Sequence, residues 1–264
     1  MLVKDILNCI TEIAPLHWQE SYDNAGLQVG DLNAEAHKAL ICLDITEEVV
    51  DEAIAKNCDV IVSHHPLIFR GLKHLTPETY IERAVMKAVK HDIAMISMHT
   101  NLDNSYLGVS RVLADRLGLK NLHILQPSTA EPELCGAGMI GELETPMEET
   151  AFLSLVAKTI GSPCLRHSAL RGTLIKKVAL CGGSGSPFMQ DALRQNADAY
   201  LTADIKYHDF FVPEGDALLV DGGHFETEQF TKELIYELIR KKFPTFAAEI
   251  ADTRTNAVYY FVNK

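Results

Sequence analysis

Lys38–Pro66 reads KALICLDITEEVVDEAIAKNCDVIVSHHP, and the fold is decided there. Lys38-Ala39-Leu40-Ile41-Cys42-Leu43 is a short apolar run of the length a buried strand needs. Glu47 and Glu48 head an amphipathic stretch over 47–56, which Thr46 is placed to cap, with Val49 and Val50 on its apolar side. Asp59-Val60-Ile61-Val62-Ser63 is a second, β-branched run, and Pro66 stops it. Strand, helix, strand without a hairpin turn is a crossover, and strands joined by a crossover lie parallel.

The same alternation extends outward. A helix is expected over 3–14, ending before Pro15; downstream come helix 78–91, strand 93–98 and helix 105–117, closed by Gly118. After Lys120 the character changes: 122–126 and 134–143 read as strands with no helix between them. Helix 147–160 follows, and 163–168 lead into a second series of strand 177–181, helix 187–196, strands 198–202 and 217–220, and helix 225–241. A closing strand is expected over 257–262. An offset of 139 residues places Lys38 on Lys177, Cys42 on Cys181, Ala53 on Ala192, Asn57 on Asn196 and Asp59 on Asp198 without a gap. The offset also aligns the strand-helix-strand pattern, which points to an internal duplication. The expected fold is α/β, with two similar lobes of mostly parallel sheet flanked by helices, over 1–120 and 121–264. No linker or inserted middle domain separates them, so a broad shared interface is expected.

Composition narrows the function. Lys and Arg total 24 against 36 acidic residues, a formal charge of −12, which disfavours diffuse binding to nucleic acid or anionic lipid. No run approaches 18 apolar residues, and the start, Met1-Leu2-Val3-Lys4-Asp5, lacks the apolar core of a secretory signal, so a cytoplasmic protein without membrane contact is expected. The six cysteines (Cys9, Cys42, Cys58, Cys135, Cys164, Cys181) show no C-x-x-C spacing, and most lie within apolar runs, as reduced thiols of that compartment would.

Chemistry gathers at strand ends, where open α/β sheets keep their sites. The first ends in Ser63-His64-His65-Pro66. On a regular strand adjacent histidines face opposite ways, but a turn there lets both rings reach one crevice. A second ends in His99-Thr100-Asn101-Leu102-Asp103, a third in Asp221-Gly222-Gly223-His224-Phe225-Glu226-Thr227-Glu228. A helix starting at His224 puts Glu228 on the same face. Acids at a helix start are also favoured by the macrodipole alone, the reading kept for Glu226. Imidazole and carboxylate suit a borderline divalent ion such as zinc, iron, manganese or nickel. Five donors exceed the usual complement of one open site and suit two ions with a bridging carboxylate, a pair able to activate water for hydrolysis.

The segment Tyr22-Asp23-Asn24-Ala25-Gly26-Leu27-Gln28-Val29-Gly30, followed in order by the three motifs above, resembles the GTP cyclohydrolase I type 2 family, also called the Nif-three-like proteins. The resemblance spans essentially the whole chain. It implies two α/β lobes, a toroidal homohexamer and two divalent metal ions: His65 and Asp103 on one, His64 and His224 on the other, with Glu228 bridging. Two departures stand out: Tyr22 where the family often has Trp, and Thr202-Ala203-Asp204 with Ala in place of Gly.

Other motifs admit two readings. Cys181-Gly182-Gly183-Ser184-Gly185-Ser186 is either a tight crossover or an anion-binding nest in which Gly183 and Ser184 meet substrate phosphate. Asp204, Lys206 and His208 either line the same cavity or open a solvated helix; within a cavity His208 would shuttle protons and Glu228 would act in catalysis. The expected function is a metal-dependent hydrolase acting on a nucleotide-like, phosphorylated or cyclic amide-type small molecule. The alternative is a non-catalytic metal-binding hexameric assembly or regulatory protein.

Overall fold

In the computed structural model, which describes residues 1–261, the chain folds into two compact units. The first comprises Met1–Leu102 together with Thr231–Ala257, the second Asp103–Phe230 with the segment from Val258 on. Along the chain the first unit forms α1 (Val3–Thr11), β1 (Gly26–Val29), β2 (Lys38–Cys42), α2 (Glu47–Ala55), β3 (Val60–Ser63), α3 (Tyr80–Lys90) and β4 (Ala94–Ser97), and α4 (Thr100–Asp103) carries the chain across the boundary. The second unit adds α5 (Val109–Arg116), β5 (Lys120–Pro127), β6 (Gly136–Glu148), α6 (Glu149–Ile160), β7 (Arg166–His167), β8 (Leu174–Leu180), α7 (Met189–Arg194), β9 (Ala199–Thr202), β10 (Leu218–Asp221) and α8 (His224–Glu228). Two elements, α9 (Thr231–Lys242) and β11 (Ala247–Ile250), return to the first unit.

Lys38–Pro66 forms the crossover its pattern requires. Thr46 is extended, and its Oγ1 accepts from the Val49 amide at 3.3 Å, capping α2. Val49, Val50 and Ala53 bury the inner face of that helix. All four residues of β3 are buried, as a strand covered on both faces must be. The first sheet runs β1-β4-β3-β2-β11; β11, β2, β3 and β4 are parallel, and β1 is antiparallel to β4.

The second sheet runs β5-β6-β8-β9-β10-β7. Its centre, β8-β9-β10, is parallel, while β5, β6 and β7 pair antiparallel to their neighbours. One face packs Val178, Leu180, Leu201 and Val220 against Phe152, Val156 and Ile160 of α6. The other packs Ala179, Tyr200 and Leu219 with Met189 and Ala192 of α7. Alternate residues of one strand feed separate cores.

The two strand-helix-strand series share backbone details at the positions the 139-residue offset aligns. Asn57 and Asn196 both end their helices in the left-handed region, at φ 54° and 55°. One Asp59 oxygen accepts from the amides of His37 and Lys38, and one Asp198 oxygen from those of Lys176 and Lys177. The Asp59 amide bonds Lys38 O at 2.9 Å, and the Asp198 amide bonds Lys177 O at 2.7 Å. Each aspartate thus ties the start of one strand to the next in the same way.

Several expected elements differ. A cut at residue 120 misplaces α9 and β11, because β11 pairs in parallel with β2, Ala247 opposite Lys38. The expected helix 225–241 is two helices, interrupted at Gln229 and Phe230, where the chain passes from one unit to the other. The expected helix 105–117 narrows to α5, since Gly108 has an extended ψ of −149°. The strand expected over 257–262 has no ladder at 257–261, and Val262 lies outside the described residues. All six cysteines are free thiols, five buried and Cys164 exposed. No described helix is long and apolar enough to cross a membrane.

Candidate metal centre

In the first unit the ends of β3 and β4 bring three imidazoles together. Past Ser63 the backbone keeps bonding to the neighbouring strand, the His64 amide to Cys42 O and the His65 amide to Leu43 O, while the chain turns. The ring centroids of His64 and His65 are 4.8 Å apart, and His99 lies 5.4 Å and 5.5 Å from them. One nitrogen from each ring falls within 4.8 Å of the other two, so this trio can hold a metal ion. Each Nδ1 faces an acceptor: Met98 O at 2.8 Å for His64, Asp44 Oδ1 at 2.7 Å for His65, and Asp23 Oδ1 at 2.7 Å for His99. With the proton held on Nδ1, the lone pair sits on Nε2, the arrangement that metal-binding histidines adopt.

The supporting carboxylates are themselves held. The second oxygen of Asp44 accepts from Thr255 Oγ1 at 2.8 Å. Burial opposes the charge on Asp44, and the hydrogen bonds from His65 and Thr255 together with the charge of His65 and His64 outweigh it, so its carboxyl stays below the ordinary range. The Asp23 side chain is fully buried and accepts from the Thr100 amide and hydroxyl as well as from His99. Burial works against its charge too, but the bonds from His99 and Thr100 prevail and bring it down to about 2.

The second unit presents a different set. After β10, Gly222 and Gly223 (φ 90°) turn the chain into α8. There His224 lies between two carboxylates, Nδ1 2.7 Å from Asp204 Oδ2 and Nε2 3.1 Å from Glu228 Oε2. Partial burial of His224 disfavours its charge; Asp204 and Glu228 more than offset that and raise it to about 11. Its protonation stabilises the fold fully below the ordinary value of 6.5, a contribution lost as pH rises through about 11. Gly183 lies in the left-handed region at φ 60°, and a β-carbon there would run into the Glu228 carboxylate and crowd the His224 ring. Asp103 ends α4 half-buried. Burial, then Asp103 and Glu228, push the neighbouring Cys181 thiol up to about 12.

Because His224 holds its proton well above neutral pH, an ion can bind its Nε2 only after that proton leaves. Zinc loading near neutral pH is therefore expected to release about one proton from this ring, with affinity rising as pH rises. Calorimetry in buffers of different ionisation enthalpy counts that proton, and His224→Gln should remove it.

Among the remaining expected residues, Ser184, Lys206 and His208 are exposed. The His208 ring rests against Tyr207 and Phe211, at 5.2 Å and 6.5 Å, on the 3-10 turn Tyr207–Phe211. Three contributors escaped the sequence reading. His99 is a strand-end histidine outside the expected ligand set. Asp23 lies within the Tyr22–Gly30 motif, and Asp44 is the second residue past β2. Each is recognised by the imidazole it supports, 76 and 21 residues along the chain for the two aspartates.

The family model described as Duf34/NIF3 (NGG1p interacting factor 3) matches residues 1–257. A Clostridium perfringens protein named GTP cyclohydrolase 1 type 2 homolog is 32% identical over 265 residues, covering 99% of this chain and 100% of the relative. Its namesake from Clostridium acetobutylicum is 33% identical over 229 residues, 86% of this chain and 85% of that one. Among solved structures, a hypothetical protein of Staphylococcus aureus superposes with a TM-score of 0.91 at 29% identity, covering 99% of both chains. A Bacillus cereus protein related to NIF3 gives 0.90 at 23% identity over 99% of both, a likeness of fold.

Proposed function

Since the chain belongs to the Duf34/NIF3 (NGG1p interacting factor 3) family, we propose that it is a dinuclear metallohydrolase acting on a nucleotide-like, phosphorylated or cyclic amide-type small molecule. In this reading His65 and Asp103 would hold one divalent ion and His64 and His224 the other, with Glu228 shared; His99 adds a further imidazole beside His64 and His65. The observation that carries this reading is the shared polarity of the three rings in the first unit. Every Nδ1 is committed to an acceptor, two of them carboxylates, which leaves Nε2 for an ion. When bound, such a pair supplies an activated water and steadies charge on the group attacked. The chain's own residues fix the donors: Asp44 orients His65, Asp23 orients His99, and Asp204 faces the Nδ1 of His224.

A structural ion is closed off by protein ligands, whereas a catalytic one keeps positions open. Five principal donors shared between two ions leave such positions, which favours turnover over a purely architectural role. The name borne by the two clostridial relatives directs the substrate search toward purine nucleotides first. A cytoplasmic toroidal homohexamer is part of the same proposal.

Native mass spectrometry with elemental analysis tests it. The expected result is a pair of divalent ions per chain in a hexameric particle, with hydrolysis of a member of a nucleotide, phosphoester and cyclic amide panel that stops on chelation and returns on reloading. A refolded chain that retains no ion overturns the reading. Chelation that dissolves the particle, with no turnover across the panel, assigns the ions to assembly.

A further inference from the structure

Two aromatic rings stand exposed beside the three imidazoles, and the metal centre does not account for them. Phe69 is 41% exposed, and its ring lies edge-on to His99 at 6.0 Å. Tyr22 is 64% exposed and meets Phe69 edge-on at 6.3 Å. Their backbones are fixed although the rings are open to solvent. Asn24 Nδ2 donates to Ile68 O at 2.6 Å, and Gln28 Oε1 accepts from the Ile68 amide at 2.9 Å. Asp23, one residue from Tyr22, is anchored by His99 and Thr100. The 22–28 motif thus clamps the residue before Phe69 while its own aspartate holds a site histidine.

The same loop carries Arg70 and Lys73, both exposed and in no ion pair with a described residue. On a chain of net charge −12, two uncompensated cations within four residues of Phe69 in the same loop mark a place for an anion attached to a flat ring. We infer that Tyr22 and Phe69 form a stacking platform for a planar heteroaromatic ring whose phosphate is met by Arg70 and Lys73, so that the substrate class is the phosphorylated heterocycle. Every base has a π-face, so such a platform is tolerant of base identity. The inference deepens the metallohydrolase reading and rests on it for its purpose, while its test can be read without metal.

Calorimetry compares adenosine and guanosine monophosphates with ribose 5-phosphate, which has the same phosphate and no aromatic base, on metal-free and zinc-loaded protein. Both nucleotides are expected to bind about tenfold tighter than ribose 5-phosphate, since a stacked base is worth ~1–3 kcal/mol. Phe69→Leu and Tyr22→Leu should bring the nucleotides down to the ribose 5-phosphate level with zinc content unchanged. Arg70→Gln should weaken all three ligands together. A preference that persists in the metal-free chain supports the platform even if the metal reading fails. Equal affinity for all three ligands in the parent, or a preference surviving in Phe69→Leu, overturns it. So does a change of oligomeric state in the leucine variants without any nucleotide preference in the parent, which would give this face to a second copy of the chain.

Discussion

Asp23→Asn lowers zinc affinity by about ten- to a hundredfold, the range found when the partner of a metal-bound histidine is removed. The substitution keeps the size of the side chain and removes one acceptor. Asp23 gives one oxygen to His99 Nδ1 and the other to the amide and hydroxyl of Thr100. An amide can serve only one side. Either its NH2 faces the N–H of His99, which drives the imidazole proton to Nε2 and removes the lone pair an ion needs, or Thr100 loses its acceptor inside the fold. Chelator competition measures the first effect, and nitrogen shifts of the His99 ring report the tautomer directly. Wild-type affinity with an unchanged ring would show that Asp23 does not orient His99.

The same carboxylate sets part of the acid limit. Its carboxyl titrates at about 2 in the fold against an ordinary 3.8. The ionised group therefore favours folding above the ordinary value, and that contribution fades as pH falls toward 2. The shift corresponds to about 2 kcal/mol at neutral pH. In Asp23→Asn, urea midpoints between neutral and acid pH should fall less steeply than in the parent.

Gly183→Ala is the other large effect. A methyl group at this position overlaps the Glu228 carboxylate and crowds His224 Cε1. The backbone cannot retreat: the Gly183 amide donates to Thr227 Oγ1 at 3.0 Å, and Gly183 O accepts from the Ala203 amide at 2.8 Å and Thr202 Oγ1 at 2.9 Å. Glu228, only 3% exposed, has to move instead. We expect a loss of about 2–3 kcal/mol in urea unfolding, from left-handed strain plus overpacking, and more than tenfold in zinc affinity. Gly161→Ala is the control. Gly161 has a similar φ of 66°, but nothing lies near its added methyl, so it should cost about 1 kcal/mol and leave zinc binding intact. Equal effects at the two glycines would mean that the contact with Glu228 is not what constrains residue 183.

What the sequence made legible was local and periodic. β2, α2 and β3 announce themselves through buried β-branched runs and a capping threonine, and the strand-end histidines follow from the strands. β11 was invisible because Ala247-Ala248-Glu249-Ile250 has neither alternation nor β-branched weight; it is a strand because β2 offers a parallel edge. The run Ala257-Val258-Tyr259-Tyr260-Phe261 has the composition of a strand and no edge to join, and Tyr259 and Phe261 stand 80% and 94% exposed. A strand is defined by its partner, which composition does not contain. The roles of Asp23 and Asp44 were hidden for the same reason.

The return of the chain after Phe230 has a consequence for biosynthesis. A ribosome delivers residues 103–230 before α9 and β11 emerge, so the unit that starts first is completed only after the main body of the second has been made. Until then β2 presents a bare edge, and Asp44 waits for the hydroxyl of Thr255. Chains that stop before β11 would therefore be sticky at that edge and would lack one brace of His65, which couples maturation of the histidine cluster to synthesis of the returning segment.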